Sequence, residues 1–309
     1  MKKSANDKEN IRNKHNNSNS NQKSSSSSKN IKENSDPNLI KLSNDMIISA
    51  CAAAHKQCNT AMHNSDLDDN LSGTTAISCY ILGQRNRIIV SNVGDSRAVL
   101  GTRINRNSHV GEGKEEYYEA LPMSLDQTPY RRDERKRIRN CGARILSLDQ
   151  MVGLEPIYMD DDDDGMNDND FDIDENGDTP RVWHPIDDIP GTAFTRSLGD
   201  TVAEDLGVYA EPEIVTRDLE EGDEIIVLAS DGVFEFLTNQ SVIDICAKYR
   251  DKDPLAACKE VVAESHGLFE KYETFCDDIT MICIFIDSND EYSEKPSRPL
   301  SNIKNSDKV

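Results

Sequence analysis

Residues 229–232 read Ala-Ser-Asp-Gly and follow the apolar run Ile225-Ile226-Val227-Leu228. Such a run predicts a buried strand that delivers one carboxylate, Asp231, onto a glycine turn. Asp277 stands just before a second strand-like run, DITMICIFI at 278–286, and Asp126 follows Leu-Pro-Met-Ser-Leu. A strand end fixes a carboxylate, and an adjacent glycine lets backbone or a metal-bound water come close. Carboxylates gathered at one point repel one another unless cations neutralise them, and hard oxygen ligands favour Mg²⁺ or Mn²⁺ over zinc. An aspartate at a strand end is also an ordinary turn residue, and spacing by itself leaves that reading open.

The elements that must hold these acids are legible as periodicities. Ile40, Leu42, Met46, Ile47, Ala50, Cys51, Ala54 and Cys58 recur at helical spacing over residues 40–62. TAISCYIL at 75–82 reads as a strand. The two β-rich runs of 87–101, on either side of Gly94-Asp95, read as a hairpin. Residues 116–121 alternate weakly and suggest a strand. The stretch 129–141 suggests a charged helix stopped by Gly142, with a strand at Ala143–Leu146 after it. Further on, DEIIVLAS (223–230) is a buried strand and 239–249 a helix. Asp253-Pro254 caps a second helix running to about Tyr272, and 278–286 is a closing strand. Strands and helices come in blocks, which predicts an α+β layered fold with mainly antiparallel sheets.

The composition narrows the function. Among 309 residues, 57 acids outnumber 35 bases, for a net charge of -22. That balance argues against a general binder of nucleic acid or anionic membrane. Residues 160–178 hold eleven acids and no base, and are expected to form a solvated loop insertion. Residues 1–39 (Ser/Asn/Lys-rich) and 288–309 are expected to be disordered tails around a single domain at 40–287. No 18-residue apolar stretch, secretory h-region or myristoylation signal is present, and the eight cysteines are scattered singly. The expected protein is a cytoplasmic or nuclear monomer with free thiols, without membrane or nucleic-acid partners.

Six segments occur here in one order: SGTTAISCYI, NVGDSRAVL, PGTAFTRSLGD, AEPEI, IIVLASDGVFEFL and DDIT. Together they resemble the metal-dependent protein Ser/Thr phosphatases of the PPM (type 2C) family, over about residues 41–287. The stretch from Pro190 to Ile214 resembles the subgroup linked to cyclic-nucleotide-binding and kinase domains. The resemblance implies a four-layer α-β-β-α sandwich of two antiparallel sheets. It also implies two Mg²⁺ or Mn²⁺ ions at one end of the sandwich, with a third held loosely, and phosphoprotein substrates. Asp231 and Asp277 match core metal ligands, and Asp126 matches the acid beside the third metal. Thr74, Asp95 and Asp200 match motif positions expected to support the centre through turns and hydrogen bonds.

The chain also departs from the family pattern. The family opens with an Arg and a Glu on early strands and with Asp-Gly-His-Gly-Gly, whose Asp bridges both metals. None of these is present, so the sandwich is expected to lack its first strands. No catalytic residue is assigned, because the family's proton donor has no counterpart among the six histidines. Glu235 stands where Asp is common, and Gln127 where His is common. Two explanations are open: an N-terminally incomplete enzyme, which is the expectation favoured, or an inactive relative acting as a binding or regulatory module.

Other features carry blander readings. Asp160, Asp162, Asp164 and Gly165 begin like a calcium loop, as do Asp172, Asp174, Asn176 and Gly177. The twelfth position is Phe171 or Trp183 rather than Glu. The run RRDERKRIRN (131–140) interleaves acids with bases and reads as a solvated helix face.

Overall fold

A computed structural model describes residues 43–82, 87–106, 115–157 and 178–286. The expected tails at 1–39 and 288–309, and the acidic insertion as far as residue 177, lie outside the described residues.

In chain order the elements begin with helix α1 (Asn44–His63) and strands β1 (Gly73–Thr74), β2 (Ala76–Leu82), β3 (Arg87–Val93), β4 (Arg97–Arg106) and β5 (Glu115–Pro122). Helix α2 (Arg132–Asn140), strand β6 (Arg144–Leu146), helix α3 (Leu148–Met151), and strands β7 (Arg181–Trp183), β8 (Pro190–Thr192) and β9 (Leu198–Gly199) follow. The chain continues through helix α4 (Thr201–Glu204), strands β10 (Glu213–Asp218) and β11 (Asp223–Ala229), helices α5 (Asp231–Phe234), α6 (Asn239–Ala247) and α7 (Pro254–Tyr272), and strand β12 (Met281–Phe285).

Two antiparallel sheets form the centre, with strand orders β10-β3-β2 and β12-β11-β4-β5. The uninterrupted apolar run of β11 is explained by burial on both of its faces. Ile225, Val227 and Ala229 pack with Val242, Ile243 and Cys246 of α6 and with Ala257 and Val261 of α7. Ile226 and Leu228 turn the other way, into a core shared with Ile88 and Val90 of β3 and Ala98 and Leu100 of β4. Each large aliphatic side chain so enclosed contributes about 1.5–3 kcal/mol. The expected α+β sandwich is therefore the architecture found. A smaller three-stranded sheet, β6-β7-β8, carries its own apolar cluster with Ile138 of α2 and Leu206.

Two expectations are corrected. The runs around Gly94-Asp95 do not form a hairpin: β3 pairs with β2 and β10, whereas β4 pairs with β5 and β11. The turn instead carries the chain from one sheet to the other. Gly94 takes φ +104°, and a Cβ there would lie 2.4 Å from Thr75. The second correction concerns α1. Its buried face is Cys51, His55 and Asn59, while Met46, Ala50, Ala54 and Cys58 are exposed. Polar anchoring sets this face. Asn59 accepts a hydrogen bond from the Gly199 backbone N–H (2.7 Å) and donates to Glu204 (2.5 Å).

Candidate metal centre

Register places the predicted acids at one end of the larger sheet. Ala229, the last residue of β11, pairs with Met281 at the start of β12 and with Arg97 at the start of β4. Val99 pairs with Pro122, the end of β5. The segments that follow or precede these ends carry Asp231, Asp277, Asp95 and Asp126. Four acids scattered over about 180 positions of sequence are thereby brought to the same rim.

Asp95 is the buried member, at 9% exposure, and its carboxyl is pushed up to about 7. Burial is the largest cause, followed by the charge of Asp231, with smaller contributions from Asp126 and Asp277. The turn that holds it is fastened by Gln127, which is fully buried. Its side-chain oxygen accepts the Gly94 N–H (2.6 Å), and its amide donates to the Asn92 carbonyl (3.1 Å). Thr75 and Ser96 share a hydroxyl hydrogen bond of 2.9 Å beside it.

Asp231 and Asp277 are accessible to solvent. Asp231 is nonetheless crowded by the surrounding protein, and that crowding, then the Asp277 charge, raises its carboxyl. Asp231 accepts the local Gly232 N–H (2.9 Å) and Asp277 the local Asp278 N–H (2.8 Å). Gly232 has a packing reason to be glycine, since a Cβ would lie 2.6 Å from the Asp278 carbonyl oxygen. Ser230 completes the junction, donating to that carbonyl (3.2 Å) and accepting the Thr280 N–H (3.1 Å). This knot holds the Asp231 and Asp277 segments together. Glu235 follows on; it too is exposed, but crowding by the surrounding protein, then the charges of Asp231, Glu273 and Asp277, raise its carboxyl.

Asp126 differs from these. Arg97 grips it in a two-pronged pair, Nε to Oδ1 at 2.9 Å and Nη2 to Oδ2 at 2.6 Å. Neither Arg97 nor Gln127 was assigned a role from the sequence. Arg97 lies inside the NVGDSRAVL segment, and its acidic partner is 29 positions away.

Thr74 and Asp200 have other surroundings than the four acids. Thr74 is exposed on β1, paired with Leu198, and it is Thr75 that reaches the Gly94 turn. Asp200 adopts φ 56° ahead of α4, in the space left by Gly73, and its carboxyl is raised by burial and by the nearby Asp69. Asp69 in turn pairs with His63 (2.5 Å), whose other ring nitrogen lies 3.2 Å from Glu204. Asp200 thus belongs to the junction that ties α1 to β9 and α4.

Among the described residues, one trio of ligand-type side chains has atoms within 4.8 Å of one another: Asp133, Glu134 and Glu213. Arginines already compensate it. Arg131 pairs with Asp133 and Glu213, Arg137 with Glu134, and Arg196 with both Glu134 and Glu213. The rim acids do not converge as closely, but beyond the effect of burial the charge of Asp231 raises the Asp95 carboxyl, and the charges of Asp277 and Asp126 raise that of Asp231. Uncompensated hard oxygen ligands suit a divalent cation.

The model of the family described as Protein phosphatase 2C matches residues 3–266. The chain is 42% identical over 237 residues to "Probable protein phosphatase 2C 35" of Arabidopsis thaliana, a stretch covering 77% of this chain and 62% of that protein. It is 30% identical over 284 residues to "Probable protein phosphatase 2C 52" of the same plant, covering 90% of this chain and 52% of that one. The chain thus spans between half and two thirds of these relatives' length. Among solved structures, its fold is similar to serine-threonine phosphatase 2C from Toxoplasma gondii, with TM-score 0.57 and 14% identity over 78% of this chain and 67% of that one. It is also similar to a C. elegans sex-determining protein, with TM-score 0.53 and 14% identity over 81% and 48% of the two chains. At such identity these two structures speak to fold alone.

Proposed function

This chain belongs to the protein phosphatase 2C family, and we propose that it acts in the Mg²⁺- or Mn²⁺-dependent hydrolysis of phosphoserine and phosphothreonine in proteins, with Asp231 and Asp277 as metal ligands. The observation that carries this reading is the rim itself. Solvent-accessible Asp231 and Asp277 stand beside buried Asp95; burial first, then the charges of neighbouring rim acids, raise the carboxyls of Asp95 (chiefly through Asp231) and Asp231 (chiefly through Asp277). Carboxylate oxygens are the donors that hard divalent ions take.

Bound divalent ions would supply Lewis-acid polarisation of a phosphoryl oxygen and an activated water. The chain's own residues prepare the place. The Gly232–Asp278 contact and the Ser230 hydrogen bonds keep the two ligand segments in register. Gln127 pins the Gly94 turn and so fixes Asp95, whose carboxyl adds to the attraction for a cation when it is ionised. A phosphoprotein substrate would approach from the solvent-exposed side, where Asp231 and Asp277 are open.

The test is phosphate release from phosphoserine and phosphothreonine peptides by the full chain with and without Mn²⁺. Release that requires Mn²⁺ and is lost in Asp231→Ala supports the reading, and metal-independent release overturns it. A second reading, a non-catalytic binding module, is favoured by one sequence fact: no Asp-Gly-His-Gly-Gly segment occurs in the 309 residues. Mn²⁺ binding at Asp231 without phosphate release selects that reading.

A further inference from the structure

We propose that Arg97 is the resident cation at Asp126, so that a guanidinium fills the place where the family resemblance implies a third, loosely held metal ion. The inference rests on the reading above, in which Asp231 and Asp277 hold the other ions.

Arg97 opens β4 and Asp126 lies just beyond β5, on the neighbouring strand at the same rim. The guanidinium is fixed from three directions. Its fork takes both Asp126 oxygens, at 2.9 and 2.6 Å. Its Nη1 donates to Asn239 Oδ1 at 2.9 Å, and its Cζ lies 4.5 Å from the centre of the Phe234 ring. Both partners of the ion pair are only about one-quarter exposed, so solvent screens them incompletely. A planar two-pronged pair occupies the inward lone pair of each carboxylate oxygen. What remains for a metal is the outward lone pairs of a carboxylate whose charge is already met. Any dication there would also face the positive guanidinium.

The contrast with the other acids makes the assignment. Asp231 and Asp277 accept local backbone N–H groups and stay open to solvent, whereas Asp126 holds a fixed organic cation. Arg97 also lines an open cavity of about 490 Å³ with Phe234, Glu235 and Asn239. Removing its side chain would therefore leave Asp126 facing water and free to bind an ion. Arg97 is a positioning residue here: it decides how many metal ions this rim accepts.

The experiment counts Mn²⁺ bound per full-length chain, by the electron paramagnetic resonance signal of free Mn²⁺. It compares the wild type with Asp126→Asn, Arg97→Gln, the double variant and Asp231→Asn. Binding by the acidic stretch 160–178 is common to all five and cancels. Asp126→Asn should retain the wild-type number. Arg97→Gln should bind one more ion per chain, and the double variant should lose that extra ion. An Asp126→Asn count one below wild type overturns the proposal, as does an Arg97→Gln count with no gain. If Arg97→Gln does not fold, the Asp126→Asn comparison decides. An Asp231→Asn count equal to wild type overturns the preceding reading instead, and the gain in Arg97→Gln still decides this one.

Discussion

Asp95 illustrates how much of the site's behaviour sits in single residues. Its folded carboxyl is raised from 3.8 to about 7, so between those values the folded chain binds a proton that the unfolded chain has released. Stability contributed by this group is therefore complete below about pH 4 and is lost as pH rises through 7. At about 1.4 kcal/mol per pKa unit, the loss is on the order of 4 kcal/mol. Urea unfolding in a chelator, at pH 5 and at pH 8, should show the wild type less stable at the higher pH. Asp95→Asn should flatten that difference, and an unchanged slope in the variant would remove Asp95 as its source. The acids themselves were legible in the sequence because strand-forming runs end at them. Their partners were not, since the side chains that fix them come from elsewhere: Gln127 reaches Gly94 across 33 positions, and Arg97 reaches Asp126 across 29.

Elements show the same division. The runs that became β2, β11 and α7 were readable because apolar periodicity, an Asp253 cap and an N-terminal proline are local signals. The Gly94-Asp95 turn looked like a hairpin because a glycine turn between β-rich runs has the same local chemistry whether the chain returns to its own sheet or crosses to another. Partner choice is tertiary, and β10, unremarked in the sequence, is one of the strands that claims β3. The charged run of α2 reads in the sequence as a solvated face, yet Glu134 is 1% exposed and Arg135 is buried. Burial opposes the Glu134 charge, but Arg196, Arg137 and Thr195 outweigh it and hold the carboxyl at about 2. Here the sign is opposite to that of Asp95. Stability from Glu134 is present above about pH 4.5 and is lost as pH falls toward 2. Glu134→Gln leaves Arg196 and Arg137 without a buried counter-charge, and should cost about 3–5 kcal/mol at neutral pH. Denaturant midpoints at pH 7 and pH 3 check both parts: the variant should be weaker at pH 7, and the gap should narrow at pH 3.

At the scale of the whole molecule, a net charge of -22 makes cation binding and folding one problem. Ions that associate with acids equally in the folded and unfolded chain leave stability unchanged, because linkage counts only the difference. The rim acids are different, since only folding brings residues 95, 231 and 277 together. If Asp231 anchors a divalent ion there, Mn²⁺ at a hundredfold excess over its Kd should stabilise the fold by about 2.7 kcal/mol. For a domain of this size that is roughly 5–10 °C in Tm. NaCl at matched ionic strength screens the general repulsion without occupying the rim, so it should give a smaller rise. Melting curves of the wild type and Asp231→Asn in the two salts separate the effects. The variant should respond alike to both, having lost a ligand while relieving some repulsion. A Mn²⁺-specific rise of equal size in Asp231→Asn would locate the stabilising ion elsewhere on the chain.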